Sequence, residues 1–193
     1  NTSFPGFREF YKGWLSQFTK EGLIIDDRYN GGGSLPHPMT LDMANPKLQY
    51  WTRRNLPLYS TPFPVHEGPK VMLINGRSSS GGDAFPDYFQ ELGLGPLMGQ
   101  TTWGGLIGYS GSPSFVDHGG MAVPSFAYVN NEGEWDVEYY GVHPDIEVFD
   151  DPTEIQAGRQ PMLDKAVSYI LEQLEKNPVK KVKKPKGVDR SKK

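Results

Sequence analysis

No cysteine occurs among the 193 residues, which excludes thiol catalysis, disulfide staples and thiolate metal ligation. A chain of this length buries a core without staples, so the absence does not by itself fix a compartment. No apolar run approaches the roughly 20 residues that span a bilayer, and no signal peptide opens the chain, so no membrane partner is expected. Histidine is sparse. His37, His66, His118 and His143 are scattered without an HExxH or other paired spacing, so neither a metal nor a cofactor is expected, and each histidine is expected in a loop or at the surface. Neither GxxxxGK[ST] nor a well-placed GxGxxG is present, which argues against a nucleotide site. No internal repeat is evident either.

Glycine and proline, at 23 and 17 residues, are abundant and call for many turns and irregular connections. The length fits one domain with a substantial core. The net charge of −3 conceals a division, because eight of the 20 basic residues fall from Asn177 onward against the single acid Asp189. That tail has too little apolar content to pack, so residues 177–193 are expected to be a disordered appendage to a folded unit of residues 1–176. No aromatic residue is interleaved in the tail to stack on bases, and no nucleic acid is expected as a partner. The chain begins at Asn1 and runs straight into an amphipathic segment, as in a processed product or a piece of a longer polypeptide.

Phe7, Phe10, Tyr11, Trp14, Leu15 and Phe18 recur at helical spacing, which predicts a helix over 5–19 with Ser3 as its cap. Leu23 to Ile25 predicts a short buried strand that runs into Gly31, Gly32 and Gly33. Three glycines after a strand let a backbone approach a ligand closely, as a peptide-binding or oxyanion-donating loop does, and a plain flexible turn is the alternative. The proline-rich stretch from His37 to Pro69 predicts a helical turn at 41–44, a strand at 48–52 and otherwise a long irregular excursion. Further strands are expected at 71–74, 95–99, 121–124, 125–129 and 135–139, and a closing helix at 162–174. Strands alternating with helices make the class α/β.

The chain is organised around Val71 to Pro86. An apolar run breaks at Gly76, passes Ser78, Ser79 and Ser80, and resumes after Gly81 and Gly82 with apolar residues at helical spacing. A serine at such a strand-to-helix junction sits where backbone N–H groups lack intrahelical partners, so an oxyanion beside it would be stabilised. Serines at such junctions usually serve only as cap and turn residues, and that is the reading the stretch supports when taken alone.

Four segments add to this. Asp26-x-Arg28-x-Asn30-Gly31-Gly32-Gly33, Asn75-x-x-Ser78-x-Ser80-Gly81-Gly82-Asp83-x-Phe85-Pro86, Thr102-Trp103-Gly104-Gly105 and Gly141-Val142-x-Pro144-Asp145-Ile146-Glu147-Val148 occur in that order. Together they resemble the C-terminal catalytic subdomain of tricorn-type serine proteases, relatives of the C-terminal processing proteases. The resemblance implies a ClpP- and crotonase-like layered sheet flanked by helices, and peptide-bond hydrolysis through a Ser, His, Ser, Glu tetrad. It assigns Ser80 as nucleophile, the N–H groups of Gly81 and Gly33 as the oxyanion hole, and Glu138 as the tetrad glutamate. Gly31, Gly32, Trp103 and Gly104 would contact substrate. The family carries its histidine base and partner serine in an upstream core subdomain, ahead of a PDZ-like module, so residues 1–193 alone are expected to hydrolyse little. Peptide or unfolded-protein substrates, the upstream domains as partners, a homo-oligomer and a cytoplasmic location, with the periplasm as alternative, complete what the resemblance implies. Tyr50 to Arg54 offers no carboxylate to select basic side chains, so apolar or acidic residues are the expected preference. A catalytically silent peptide-binding or assembly domain on the same fold is the competing reading.

Overall fold

The computed structural model describes residues 1–187; residues 188–193, on which part of the expected tail falls, lie outside the described residues. Four strands, β1 (Leu23–Asp26), β4 (Lys70–Ile74), β5 (Leu97–Gly99) and β6 (Ile146–Glu147), form one parallel sheet in the order β1-β4-β5-β6. A separate antiparallel pair, β2 (Gln49–Trp51) and β3 (Tyr59–Thr61), stands apart from it. Among the described residues five helices complete the fold: α1 (Phe4–Gln17), α2 (Pro36–Ala44), α3 (Gly81–Glu91), α4 (Pro152–Gln156) and α5 (Pro161–Lys176).

Every residue of β4 is buried, because helices cover both faces of a parallel sheet and leave its central strand no polar side. Successive side chains point to opposite faces, so the strand feeds two cores. Met72 and Ile74 join Trp14 of α1, Met39 and Met43 of α2, and Phe85 and Phe89 of α3. Val71 and Leu73 join Met98 of β5 and Met162, Ala166 and Ile170 of α5. The result is the layered α/β class expected, a parallel sheet between helices. Trimming one methylene from this strand, Ile74→Val, is expected to lower the free energy of unfolding by about 1 kcal/mol in a urea titration, the lost transfer energy plus a small cavity.

The helical spacing of the first segment gives α1, whose Trp14 is buried while Phe7, Phe10, Tyr11 and Phe18 pack half-buried on the same core. Ser3 occupies its N-cap position, but no side-chain capping bond forms. The expected turn at 41–44 is the end of a longer helix, α2, which Pro36 can start because its missing N–H is not needed in the first turn. The strands expected at 121–124, 125–129 and 135–139 do not form. Only the isolated bridges Gly108 to Phe126, Ser114 to Gly120 and Val129 to Trp135 occur there. Apolar alternation marks strand-compatible residues, but a ladder also needs a partner at matching register, and this segment finds none. His66 lies in the loop before β4, one of the two places expected, but not at the surface. It is buried at 4% exposure beside the Trp14 ring, and burial, with Lys70 acting in the same direction, pushes its imidazole down to about 4.

Residues 177–187 carry no helix or strand, yet Lys184 donates from Nζ to the carbonyls of Arg53, Arg54 and Leu56. No helix among the described residues is long and apolar enough to cross a membrane.

Candidate active site

Because the sheet is parallel, the loops that leave β1, β4 and β5 emerge along one edge, the usual place for a site in an open α/β sheet. The loop after β1 carries Asn30 to Gly33, the loop after β4 carries Asn75 to Ser80, and the loop after β5 carries Thr102 to Gly105. Hydrogen bonds lace the three together. Asn75 Oδ1 accepts from the N–H of Tyr29 at 3.1 Å, and fully buried Ser78 donates from Oγ to the Asp27 carbonyl at 2.8 Å. Ser79 N–H donates to the Asn30 carbonyl at 2.8 Å, and Trp103 N–H to the Ser78 carbonyl at 2.8 Å. Arg28 grips Asp26 through two nitrogens and reaches Asp150 at 2.8 Å. Asp150 in turn accepts from the N–H of Met162 in α5. The motif residues Arg28, Asn75 and Ser78 are therefore ties between elements.

Ser80 is exposed at the N-cap of α3, with φ 56° and ψ −117°. A side chain in that conformation costs on the order of 1–3 kcal/mol and persists only where its surroundings hold it. They do so here. Ser80 N–H donates to the Gly105 carbonyl at 3.0 Å and to Asp83 Oδ2 at 2.6 Å. Asp83, fully buried, also accepts from Gly104 N–H at 2.8 Å and Gly105 N–H at 3.1 Å. This carboxylate fastens the β5 loop to the Ser80 turn. The Ser-x-x-Asp spacing of Ser80 and Asp83 is a capping-box pattern that could have drawn attention to it in the sequence.

Gly33 and Gly81 meet across the turn. A side chain at Gly81 would strike the Gly33 carbonyl at 2.1 Å and Thr2 Oγ1 at 2.3 Å, so only glycine allows this approach. Among the described residues, neither the Gly33 nor the Gly81 N–H donates to a protein acceptor. Both residues line, with Ser80, a cavity of about 330 Å³ whose other walls include Ala84, Tyr88, Leu106, Phe126 and Tyr128. Gly32 lies against the Ser80 side chain. Gly31 is exposed and does not line the cavity.

Glu138 sits in a turn rather than the expected returning strand. Its Oε2 accepts the N–H groups of Leu106 at 2.7 Å and Ile107 at 2.6 Å, directly after the Gly105 carbonyl that holds Ser80. It belongs to the same loop assembly but not to the cavity wall. Gly104, buried with φ +75°, serves as a donor to Asp83. Trp103 is 66% exposed, and its ring lies over Gly105. Neither lines the cavity. His37, not singled out in the sequence, does line it; its ring meets Tyr88 edge-on, and no hydrogen bond joins it to Ser80. Among the described residues no group of three or more His, Asp or Glu could hold a metal ion.

Two carboxyls near the site are shifted. Burial raises Asp27 well above the usual carboxylate range, against the opposing hydrogen bond from Asn30, and its Oδ2 has no partner among the described residues. Burial also raises Asp87, which accepts from the Tyr128 hydroxyl and feels Asp136 and Glu91. For Asp27 the folded state binds its proton more tightly than the unfolded chain. The stability from that proton is therefore complete below an unfolded pKa of about 3.9 and is lost as pH rises through the raised folded value. Asp27→Asn removes the loss, so its melting temperature should exceed that of the unaltered chain at pH 8 and lose that advantage at pH 3. A variant less stable at both values would contradict this.

Comparison with known proteins gives this geometry a context. The chain is 38% identical over 172 residues to a Sulfurisphaera tokodaii protein named for a tricorn-like protease C-terminal subunit, covering 89% of this chain and 20% of that protein. It is 33% identical over 171 residues to the tricorn protease of Thermoplasma acidophilum, covering 88% of this chain and 16% of that one. The chain thus spans a fifth or less of the length of these relatives. A crystal structure of the tricorn protease superposes with a TM-score of 0.86 at 32% identity, over 90% of this chain and 17% of that chain. Matched over residues 2–148 by that family's model, the chain belongs to peptidase family S41.

Proposed function

We propose that the chain is the nucleophile-bearing part of a tricorn-like serine endopeptidase that cleaves peptides or unfolded proteins. One observation carries this reading: the strained, exposed Ser80 opens onto a cavity beside two uncommitted N–H donors, those of Gly33 and Gly81. Ser80 Oγ attacks the scissile carbonyl carbon while a histidine base takes its proton. The alkoxide that forms is held by the Gly33 and Gly81 N–H groups. The protonated base then gives its proton to the departing amine, and water releases the acyl group from Ser80 by the reverse sequence. Glu138 completes the tetrad with that histidine and its partner serine. Both are supplied by an upstream core subdomain that, with a PDZ-like module and further copies of the polypeptide, makes up the working assembly.

The cavity wall narrows the substrate. Ala84, Tyr88, Leu106, Phe126 and Tyr128 offer an apolar surface beside Ser80. Asp87, Glu91 and Asp136 stand close behind Tyr128, where they disfavour an acidic side chain. A large apolar residue before the cleaved bond is the preference that follows, and the acidic alternative drops out.

A fluorophosphonate probe, applied to a polypeptide that joins these residues to the base, is expected to label Ser80, with peptide-library cleavage following aromatic and large aliphatic residues. Labelling of another serine with hydrolysis intact would refute the nucleophile, and cleavage mainly after Lys or Arg the preference. A silent binding domain would instead bind peptides with no labelling and no turnover. His37→Ala in residues 1–193 adds a control, since any slow hydrolysis by the isolated chain that it removed would identify His37 as an internal base.

A further inference from the structure

Gly31, Gly32 and Gly33 have no side chains with which to fix their own loop, and ordering three glycines costs more backbone entropy than any other triplet. Their shape is imposed by neighbours. Asn30 Oδ1 accepts from Gly32 N–H at 3.0 Å and from Thr2 N–H at 3.2 Å. Its Nδ2 donates to Asp27 Oδ1 at 2.8 Å. The two N–H donors require oxygen on their side of the amide, so the NH2 must face Asp27, and the orientation is settled by its partners. Thr2 grips the other side of the loop. Its N–H also reaches the Gly32 carbonyl at 3.1 Å, its Oγ1 donates to the Gly33 carbonyl at 3.2 Å, and its carbonyl accepts from Leu35 N–H at 2.9 Å. Thr2, Asn30 and Asp27 are all buried.

We propose that Asn30 is the positioning residue of the oxyanion loop. Its amide, backed by Asp27 and flanked by Thr2, ties down the Gly32 N–H and leaves the Gly33 N–H uncommitted beside Gly81. The role rests on the assignment of Gly33 made above. An oxyanion donor contributes most when it is fixed before charge develops, because the reaction then spends nothing on reorganising it. Asn30 touches no reacting atom. It acts through the peptide groups that it holds, and through its own carbonyl, which accepts from Ser79 N–H and so joins the loop to the nucleophile turn.

The test compares variants in a polypeptide that carries the base. Asn30→Ala is expected to lower kcat by about 10²–10³, the range for a lost oxyanion donor, with KM unchanged. Asn30→Asp keeps an acceptor for both N–H groups and is expected to recover part of that loss. Ser80→Ala is measured alongside. If it retains hydrolysis, the nucleophile assignment fails and the proposal falls with it. If Ser80→Ala is inactive while Asn30→Ala keeps the original kcat, the positioning role alone is overturned. Hydrogen exchange on the unaltered chain needs no variant to fold: the Gly32 amide should be protected and the Gly33 amide should exchange freely. Equal protection of the two would overturn the proposal.

Discussion

Replacing Ser80 by glycine is expected to stabilise the chain and, in a polypeptide that supplies the base, to abolish its hydrolysis. Two effects of opposite sign act on stability. Relief of the φ 56°, ψ −117° conformation returns about 1–3 kcal/mol, while the added freedom of glycine in the unfolded chain removes about 0.5–1 kcal/mol. The net expectation is a gain of roughly 1 kcal/mol. Ser80→Ala keeps the strain and loses the hydroxyl, so it should leave stability nearly unchanged. Both variants should lower kcat on the order of 10⁶-fold, the scale for removing a serine nucleophile. The divergence of the pair in stability and their agreement in activity is the signature. A Ser80→Gly chain that melts below Ser80→Ala would show that the turn is not strained, and hydrolysis by either variant would remove Ser80 from the mechanism.

Asp83→Ala should carry the second large effect. The carboxylate is fully buried and takes three backbone N–H groups, from Ser80, Gly104 and Gly105. Alanine leaves the Gly104 and Gly105 N–H groups without an acceptor, while Ser80 N–H keeps the Gly105 carbonyl, and an orphaned buried donor costs about 1–3 kcal/mol. Half-buried Gly105 can reach water, so a loss of about 2–4 kcal/mol is expected. Asp83→Asn should lose less, since its one oxygen still accepts on one side while its NH2 opposes an N–H on the other. Chemical denaturation of the three chains checks the order. Equal stability of Asp83→Ala and the unaltered chain would mean that the loop after β5 is fastened elsewhere.

How much of this was legible in the sequence depended on how local its cause was. The apolar run of β4, the helical spacing of α1 and α5 and the Ser80 turn are written in adjacent residues, and each took the form expected. The three glycines indicated a loop built for close approach, and Gly33 does meet Gly81. The strands expected between Met121 and Tyr139 failed because pairing is decided by a partner elsewhere in the chain. The short strand β3 went unread for the same reason. Thr2 had no local signal at all, since its value comes from lying against a loop some 30 residues away. His66 is similar: nothing around it in the sequence indicates that Trp14 will cover it.

The parallel sheet has one further consequence. Its carboxyl edge carries the loops of Gly33, Ser80 and Gly104, while its amino edge, around Leu23, Lys70 and Leu97, carries none of them. Five strand residues at about 3.3 Å each separate the two edges by some 15 Å. Substitutions that far apart, sharing no partner, combine additively to within about 0.5 kcal/mol. The chain can therefore be made more robust from one edge while its chemistry is rewritten at the other.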